Sequence, residues 1–403
     1  MTTGSSRPSR MAALLAGLLS LAQAGPAAAR DALPPIVIGQ LSSRSGNNPA
    51  GREGENGAMQ AVAEINAAGG LLGGRRLELR VEDDQTQVDA GIAAFARLVD
   101  QGAVAVVGSS FSNISLAIIP HVEQAGIPYL STGAADGQVD PVRPHVFMTS
   151  LAGRLVGEQL LRFLRDRGVT RLAVVYDRDS RFASSGWAKQ RTLLDRYGIA
   201  LVEEQAVRVD TRDFGATIAA LRGSGAQAVM AWLTGPPAVG FTRAYAAANV
   251  GLPVVVSHGV ASGAFLRDTG AASEGLFVAT SIATLADDAP ASAVGDAARA
   301  MAAGFRRDHG HGPSQYAVDG YVAIRLIAAA IERSGSASPP AIRDALEGLT
   351  LATPQGVYRY TPDDHAGLGV ADIAVAWVKD GRFTLSDWSR RQLRADRGSE
   401  VAR

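Results

Sequence analysis

The 403-residue chain contains no cysteine. This absence excludes disulfide bonds, thiolate metal sites, a cysteine nucleophile and a lipid-modified cysteine at the N-terminus. A chain of this length exceeds the usual size of one domain and can bury a large core. We therefore expect a protein of more than one domain whose stability comes from apolar burial.

The chain also lacks an excess of positive or negative charge. Thirty-nine Lys and Arg residues balance 39 Asp and Glu residues, and aromatic residues make up only 6% of the chain. No run of basic residues occurs anywhere in the sequence. These features argue against nucleic acid as a partner, because nucleic-acid binding needs a concentrated positive patch.

Motifs of the common enzyme classes are absent. No G-x-G-x-x-G follows a strand pattern, and no P-loop, H-E-x-x-H or G-x-S-x-G occurs. Gly51, Gly54 and Gly57 have the wrong spacing for a dinucleotide-binding loop. His309 and His311 lie in a glycine-rich segment without an evident third ligand, so we interpret them as solvated. We predict a protein without enzymatic activity, metal or cofactor.

Two acidic clusters could suggest acid–base chemistry. Asp83 and Asp84 follow a strand pattern, and Asp363 and Asp364 precede His365. A turn explains each cluster, because aspartate is common at strand ends and as a helix N-cap. We favour the turn in both cases.

The first 30 residues have the pattern of a secretory signal peptide. Arg7 and Arg10 precede an apolar stretch at 11–22, and small residues follow at 22–24 and 27–29 as candidate cleavage sites. An uncleaved membrane anchor is the alternative, but the apolar stretch is shorter than the ~20 residues that a span needs. We predict that residues 1–30 are removed and that the mature protein is soluble in the periplasm.

From residue 36 onwards, short apolar runs alternate with amphipathic helical patterns. The first half has strand patterns at 36–41, 77–81, 104–107 and 127–130, and helical patterns at 52–68, 88–101 and 116–122. Such a β-α-β-α series predicts a parallel sheet with helices on both faces.

The alternation restarts after Pro144 and indicates a second lobe of similar construction. The predicted helices are 151–167, 187–197, 214–223, 238–248, 293–308, 315–332 and 340–347, and the predicted strands are 172–176, 199–207, 228–233, 253–257 and 276–279. The segments 356–360 and 371–378 resemble antiparallel strands, and Asp380-Gly381 is typical of a hairpin turn. Two lobes suggest a cleft between them, and clefts between domains are favoured ligand sites.

Two turns rich in hydroxyl and small residues follow successive predicted strands. The first covers residues 108–113 and the second covers residues 131–136. Ligands bind at the carboxyl ends of strands in open α/β sheets, and backbone N–H groups there can hold a small anion. An ordinary loop with a serine N-cap is the alternative for either turn alone. Two such turns in succession favour a binding site.

Short segments along nearly the whole chain resemble the solute-binding proteins of branched-chain amino-acid-type ABC transporters, the leucine/isoleucine/valine-binding family. The matching segments are Ile38-Gly39-Gln40-Leu41-Ser42, Asn56-Gly57-Ala58, Ile65-Asn66-Ala67-Ala68-Gly69-Gly70, Glu82-Asp83-Asp84-Gln85-Thr86, Val106-Val107-Gly108-Ser109, Ala125-Gly126-Ile127-Pro128, Ser131-Thr132-Gly133-Ala134, Glu274-Gly275-Leu276, Gly356-Val357-Tyr358 and Asp364-His365. Each segment alone is weak evidence, but their order and spacing together are specific.

The resemblance implies an α/β type I periplasmic binding protein, with two doubly wound parallel-sheet lobes joined by three crossover segments. One lobe would comprise 31–149 and 280–352, the other 150–279 and 353–390, with a C-terminal tail at 391–403. Hinge closure would capture a small-molecule solute, and a monomer would deliver it to an inner-membrane ABC permease. A ligand-sensing receptor or regulator of the same fold is the alternative, although the signal-like N-terminus counts against it.

The resemblance also implies a set of ligand-binding residues on the first lobe. The serine that holds the ligand carboxylate in the family falls at Ser112, and Ser110 lies in the same turn. Gly133 and Ala134 would contribute backbone groups from the next turn. The following position carries a threonine hydroxyl in the family but is Ala135 here, so one donor is missing.

On the second lobe, two positions depart from the family pattern. Phe182 occupies the place of an aromatic residue that is usually tyrosine, and His258 replaces the acid that pairs with the ligand ammonium. An ammonium group needs acceptors, and a protonated imidazole would repel it. This favours a solute with a carboxylate and no amino group, aromatic or aliphatic, which His258 or Arg44 could serve. Alternatively, His258 is merely a loop residue, and Asp136 or Asp319 pairs with an ammonium group.

Overall fold

The computed structural model of the protein describes residues 33–46 and 50–393. The predicted signal peptide and residues 394–403 of the predicted tail lie outside the described residues. All elements below belong to the unit that starts at Pro34.

The first sheet has five strands. These are β1 (Ile36–Ser42), β2 (Leu77–Asp83), β3 (Ala105–Gly108), β4 (Tyr129–Ser131) and β5 (Val146–Met148). Their order across the sheet is β2-β1-β3-β4-β5, and every neighbouring pair is parallel. Parallel neighbours need crossover connections, so helices cover both faces and the strands are apolar.

The second sheet repeats this strand order. Its parallel strands are β6 (Arg171–Asp177), β7 (Ala200–Val207), β8 (Ala228–Trp232), β9 (Val254–Val256) and β10 (Phe277–Thr280). They run in the order β7-β6-β8-β9-β10, which matches the first sheet strand for strand. The predicted second lobe of similar construction is therefore present as a second sheet of the same topology.

The last four strands are antiparallel. β11 (Thr350–Thr353) pairs with β12 (Gly356–Arg359), whereas β13 (Ala374–Lys379) lies between β10 and β14 (Arg382–Leu385) in the second sheet. Both predicted strands of the tail exist, but they belong to different sheets. Asp380 and Gly381 connect β13 to β14 with φ angles of 52° and 68°, as a two-residue hairpin with two positive φ angles requires.

Helices connect the strands throughout the described part of the chain. They are α1 (Ala50–Ala67), α2 (Val88–Asp100), α3 (Ser112–Ala117), α4 (Ile119–Ala125), α5 (Gly153–Asp166), α6 (Arg181–Arg191), α7 (Gly215–Gly223), α8 (Gly235–Ala247), α9 (Gly263–Thr269), α10 (Ala293–His309), α11 (Gln315–Ser334) and α12 (Pro339–Leu346). Helix α11 packs against α1, so a helix from the late part of the sequence covers the first sheet.

The prediction of a helix at 187–197 was wrong in its bounds. Helix α6 begins at Arg181, because the Ser180 hydroxyl accepts a hydrogen bond from Ala183 N over 3.3 Å and caps the helix. The pattern at 116–122 likewise belongs to two short helices, which meet at Ile118 just before Pro120. Proline lacks a backbone N–H and is accommodated in the first turn of α4.

Glycines allow α1 and α11 to approach closely. A Cβ atom at Gly57 would lie 1.9 Å from the Ala317 carbonyl oxygen, and one at Gly320 would lie 2.0 Å from the Gly54 carbonyl oxygen. Neither position accepts a side chain without separating the helices. The α1 glycines thus serve helix packing, which agrees with their wrong spacing for a dinucleotide-binding loop.

The segments between the two sheets are linked by buried hydrogen bonds. Gln355 Nε2 and the Tyr358 hydroxyl both donate to the Thr149 carbonyl, over 2.9 Å and 2.5 Å. Gln315 Oε1 accepts from Ser281 N over 2.9 Å. The chain passes between the sheets after β5, after β10 and after β12. The first two bonds join the passage after β5 to the β11–β12 hairpin, and the third joins the passage after β10 to α11. The predicted lobe boundaries near 150, 280 and 353 stay predictions.

Candidate functional site

The carboxyl ends of strands from both sheets meet around one small cavity, which we call the interlobe cavity. Its volume is about 30 Å³, and its lining residues are Ser110, Phe111, Ser112, Thr132, Ala134, Ser150, Ser180, Phe182, Thr234, His258, Gly259 and Tyr316. Among the predicted site residues, Ser110, Ser112, Ala134, Phe182 and His258 are brought together here. Gly133 and Ala135 flank Ala134 in the chain, and Arg44 is not among the described residues that line the cavity.

Ser112 joins the two turns of the first lobe. Its side-chain oxygen accepts hydrogen bonds from Ala134 N over 3.1 Å and from Ala135 N over 3.2 Å. A Cβ atom at Gly133 would lie 3.1 Å from the same oxygen and 2.8 Å from Ser115 Oγ, so this turn approaches too closely for a side chain. Because both acceptor positions of the Ser112 hydroxyl are used, its O–H can donate into the cavity.

Asp84 does not line the cavity, but its hydrogen bonds fix the strand ends beside the first turn. Its carboxylate accepts hydrogen bonds from Ser109 Oγ over 2.5 Å, Ser43 Oγ over 3.0 Å and Thr86 N over 2.9 Å. Burial raises the pKa of this carboxyl group. Asp84 therefore ties together the ends of β1, β2 and β3, in agreement with the prediction of a strand-end turn.

The other acidic and basic candidates are paired with protein groups. Arg44 Nε donates to Glu55 Oε2 over 2.6 Å. Asp136 accepts from Arg154 N over 2.8 Å and from Arg154 Nη1 over 3.1 Å. Asp319, fully buried on α11, accepts from Gln315 Nε2 over 2.9 Å. No acidic side chain is found among the described residues that line the cavity.

An aromatic cluster forms the wall on the second lobe. The Phe182 ring contacts Trp232 and His258 edge to face, with ring centroids 5.4 Å and 5.2 Å away. Trp232 is completely buried and its Nε1 donates to Gln190 Oε1 over 2.8 Å. Phe182 is therefore held in place by packing, and the missing tyrosine hydroxyl leaves this wall apolar.

His258 is a buried, neutral imidazole. Its Nε2 lies 3.4 Å from Ser150 Oγ, and its Nδ1 has no hydrogen-bond partner among the described residues. Burial lowers the pKa of His258 to about 3. Near neutral pH the ring therefore carries one N–H donor and one acceptor and no positive charge.

Two helices point their N-termini at the cavity. Ser180 is the N-cap of α6 and Thr234 is the N-cap of α8, and both line the cavity. The N-terminus of a helix carries partial positive charge and unsatisfied N–H groups, which favours a negatively charged ligand. Together with the hydroxyls of Ser110, Ser112 and Thr132, they make the cavity rich in donors.

Sequence reasoning did not predict several of the residues that line the interlobe cavity. Ser180 and Thr234 carry an N-cap signal ahead of α6 and α8, which could have identified them. Ser150 follows β5, a strand of three residues that the hydrophobic pattern did not reveal. Tyr316 belongs to α11, far along the chain, and no local signal connects it with the cavity.

The two lobes contact each other around the cavity. Asn113 Nδ2 donates to the Asp179 carbonyl over 3.2 Å, and Arg181 N donates to Asn113 Oδ1 over 3.0 Å. On the other side, the Tyr316 hydroxyl donates to the Gly259 carbonyl over 3.0 Å. These bonds hold the lobes in a closed arrangement.

The described ranges 33–46 and 50–393 lack two further features. No helix there is long and apolar enough to cross a membrane. No group of three or more His, Asp and Glu residues there could hold a metal ion.

Comparison with known proteins identifies the family. The periplasmic binding protein model matches residues 35–382. An amino acid binding protein of Pseudomonas aeruginosa is 27% identical over 361 residues, covering 87% of this chain and 92% of the relative. A leucine-, isoleucine-, valine-, threonine- and alanine-binding protein of the same species is 25% identical over 334 residues, covering 81% and 86%.

Solved structures show the same fold. An extracellular ligand-binding receptor from Rhodopseudomonas palustris has a TM-score of 0.80 at 21% identity, covering 87% of this chain and 99% of that one. A solute-binding protein of an ABC transporter from R. palustris, in complex with benzoate, has a TM-score of 0.76 at 19% identity, covering 87% and 95%. The predicted α/β type I fold is thereby confirmed. The chain belongs to the periplasmic binding protein family.

Proposed function

We propose that the protein is the extracytoplasmic solute-binding component of an ABC importer, and that it captures a small carboxylate in the interlobe cavity. The observation that carries this proposal is the lining of that cavity. It combines hydroxyl donors and the N-termini of α6 and α8 with no acidic side chain among the described lining residues. Such a surface attracts an anion and offers no carboxylate to an ammonium group.

The choice between a simple carboxylate and an amino acid rests on His258. A neutral imidazole can donate one hydrogen bond to a carboxylate, but it supplies only a single acceptor to an ammonium group, which has three donors. Asp136 and Asp319 support this choice, because both bond to protein groups and neither lines the cavity.

An amino acid is the second candidate solute, and the relatives favour it. Both Pseudomonas relatives are named for amino-acid binding, whereas one structural neighbour was solved with benzoate. Similarity therefore supports a small solute and does not choose its class. The chemistry of the cavity favours the carboxylate.

Capture would proceed by hinge closure. In the closed arrangement the cavity has a volume of only about 30 Å³, far below the roughly 300–1,000 Å³ of pockets that hold drug-sized ligands. The lobes would separate to admit the solute and close again, with Asn113 and Tyr316 joining their rims. The protein would work as a periplasmic monomer, perform no chemistry and pass the solute to an inner-membrane permease. A ligand-sensing receptor of the same fold is the alternative.

Pairs of solutes that differ only in the amino group test the proposal. Leucine would be compared with 4-methylpentanoate, and phenylalanine with 3-phenylpropanoate, by thermal shift and calorimetry on the mature protein. A solute at 100 times its Kd should add roughly 2.7 kcal/mol to the free energy of unfolding. We expect stabilisation by the acids without an amino group. Stabilisation by the amino acids alone would contradict the carboxylate proposal and favour the second candidate.

Cell fractionation tests the location independently. A binding protein should be released by osmotic shock in a form that lacks the first 30 residues or so. A full-length protein that stays in the cytoplasm with Met1 intact would favour the regulator.

A further inference from the structure

Asp319 is a buried carboxyl group on α11, next to the segments that pass between the two sheets. Gln315 Nε2 donates to Asp319 Oδ1 over 2.9 Å, and the side chains of Ser150 and Gln355 are also hydrogen-bonded to this carboxyl group. Ser150 follows β5 and lines the interlobe cavity, and Gln355 lies between β11 and β12. Asp319 is therefore connected to the cavity through one serine.

The two carboxamides beside Asp319 both act as donors. Gln315 Oε1 accepts from Ser281 N over 2.9 Å, so the Nε2 of the same side chain faces Asp319. Gln355 also presents its Nε2, which donates to the Thr149 carbonyl over 2.9 Å as well. Neither carboxamide can accept a hydrogen bond from Asp319 in this orientation.

Ser150 connects Asp319 to His258. Its Oγ lies 3.4 Å from His258 Nε2, and the Nδ1 of this ring has no hydrogen-bond partner among the described residues. A serine hydroxyl donates one hydrogen bond and accepts others, so a bond that it donates on one side makes it an acceptor on the other side. The direction of the bonds at Ser150 therefore decides which ring nitrogen carries the proton, and Nδ1 is the ring nitrogen left for a solute.

The protonation state of Asp319 sets that direction. A charged Asp319 can only accept, so Ser150 would donate to it and would accept from His258 Nε2–H. The lone pair of His258 Nδ1 would then face the solute and repel a carboxylate. A protonated Asp319 reverses both bonds, because it donates to Ser150, and Ser150 then donates to His258 Nε2. The ring proton then lies on Nδ1, where it is a donor.

The surroundings of Asp319 favour the protonated state. Burial raises the pKa of Asp319 well above its usual value despite the hydrogen bonds that it accepts, and no Lys or Arg is among the described residues that act on it. Tyr358 also faces Asp319, and burial raises the pKa of this phenol too, so Tyr358 stays a neutral hydroxyl that donates to the Thr149 carbonyl. A buried carboxylic acid kept neutral in this way can serve as a hydrogen-bond donor.

We propose that Asp319, Ser150 and His258 form a buried hydrogen-bond relay that makes His258 Nδ1–H a donor to the carboxylate of the solute. In this relay a protonated Asp319 donates to Ser150 Oγ, and the Ser150 hydroxyl donates to His258 Nε2. Asp319 and Ser150 are thus positioning residues that select a carboxylate, because an N–H at Nδ1 opposes an ammonium group. This inference rests on the proposed function and assigns the residues that determine its specificity.

Nitrogen NMR of the mature protein with labelled histidine measures which ring nitrogen of His258 carries the proton, and the signal missing from His258→Gln assigns it. At pH 7.5 with saturating 4-methylpentanoate, the proton should lie on Nδ1. A proton on Nε2 in this complex would overturn the inference while the proposed function stands. If no acid without an amino group binds to the folded wild type, the proposed function fails and the relay fails with it.

Asp319→Asn tests the protonation state of Asp319. Asparagine is neutral, keeps a donor for Ser150 and keeps an oxygen that accepts from the carboxamides. The melting temperature at pH 7.5 should stay close to that of the wild type, and the Kd of 4-methylpentanoate should change by no more than about threefold.

Asp136→Asn is the matched control, because Asp136 is buried to the same extent but pairs with the charged Arg154. It should lower the melting temperature by several degrees, since it leaves the Arg154 guanidinium without its carboxylate. An equal loss of stability in Asp319→Asn would show that Asp319 is charged in the folded protein and would overturn the inference.

Ser150→Ala tests the link between Asp319 and the ring. Without the hydroxyl, His258 Nε2 loses its partner, so the ring proton of the empty variant should be distributed over both nitrogens, whereas the empty wild type holds it on Nδ1. Ser273→Ala should keep the wild-type signal, because Ser273 is a buried serine that bonds to the Gly270 carbonyl, away from the interlobe cavity. A ring proton that stays on Nδ1 in Ser150→Ala would show that Ser150 does not position it.

Discussion

Asn113 on the first lobe and Arg181 on the second are joined by a hydrogen bond of 3.0 Å, from Arg181 N to Asn113 Oδ1. The same carboxamide donates to the Asp179 carbonyl over 3.2 Å. Asn66 makes an equivalent pair of bonds within the first lobe, to Leu77 N over 2.8 Å and to the Leu77 carbonyl over 2.9 Å. The chain therefore contains two matched asparagine contacts, one across the cleft and one inside a lobe.

The Asn113 and Asn66 contacts together predict how closure of the two lobes affects solute binding. Asn113→Ala should weaken solute binding about 5- to 30-fold, because two hydrogen bonds worth about 1–2 kcal/mol in total are lost from the closed form. Asn66→Ala should instead lower the melting temperature and leave Kd unchanged. Calorimetry and thermal unfolding of both variants separate the two effects. An Asn113 variant with wild-type affinity would show that this contact does not stabilise the closed form.

Ser112 should matter for affinity more than for stability. Ser112→Ala removes a hydroxyl donor from the cavity and the acceptor for Ala134 N and Ala135 N. We expect Kd to rise roughly 10- to 100-fold, since hydrogen bonds to a charged group contribute about 1.5–3 kcal/mol. Ser273→Ala is the control, because Ser273 is also buried but bonds to Gly270, away from the cavity. Equal effects on Kd would argue against a role of Ser112 in binding.

His258→Glu should reverse the preference between solute classes. A glutamate there would repel a carboxylate without an amino group and supply acceptors to the ammonium of an amino acid. We expect 4-methylpentanoate binding to be lost and leucine binding to appear, measured by calorimetry. His121→Glu makes the same change at an exposed position and should alter neither affinity. If His258→Glu still binds the simple acid, His258 does not face the solute.

The buried His258 also predicts a pH dependence of stability. Its pKa is lowered to about 3 in the folded protein, below the usual value of 6.5. As the pH falls, His258 therefore takes up a proton in the unfolded chain before it does so in the folded protein. Its contribution to the free energy of unfolding is complete above pH 6.5 and decreases as the pH drops towards 3. At about 1.4 kcal/mol per pH unit, roughly 2–3 kcal/mol should be lost by pH 4.5.

Urea unfolding of the wild type and of His258→Gln at pH 7.5 and 4.5 isolates this effect, because all other titrating groups are shared. The stability difference between the two proteins should change by about that amount between the two pH values. Parallel changes in both proteins would show that His258 titrates normally in the folded state.

The glycine contact between α1 and α11 gives a prediction about folding stability. Gly57→Ala places a Cβ atom against the Ala317 carbonyl and should lower the free energy of unfolding by about 1–3 kcal/mol. Gly54→Ala is the control, since the nearest atom to its Cβ is the Tyr316 carbonyl oxygen at 3.4 Å, an ordinary contact. Thermal unfolding should show a lower melting temperature only for Gly57→Ala. Equal melting temperatures would mean that the helices adjust without cost.

Much of the fold could be predicted from local patterns. The strand patterns at 36–41 and 228–233 agree with β1 and β8, since buried parallel strands are continuous apolar runs bounded by turns. The start of α6 was missed because its polar first turn hides the periodicity, although the N-cap Ser180 marks it. Strand β5 was missed because three residues are too few to show a pattern.

The candidate site was predictable only in part. Ser112, Phe182 and His258 were predicted from the resemblance to the leucine/isoleucine/valine-binding family, and the structure places all three at the interlobe cavity. Whether Arg44 or Asp319 faces a solute depends on distances between separate segments, and the structure instead pairs Arg44 with Glu55 and Asp319 with Gln315. Tyr316 lies on a helix that no local pattern links to the cleft.

The sequence by itself determined the alternation of strands and helices, the repeated lobe, the absence of cysteine chemistry and the family, because these properties depend on residue types and their order. Only the tertiary structure decided which side chains share one cavity and what state they have there. The low pKa of His258 arises from burial by Phe182 and its neighbours, and the interlobe cavity arises where turns after strands of both sheets meet Tyr316 of α11. Burial and contact between distant segments are properties of the packed chain, and no local pattern encodes them.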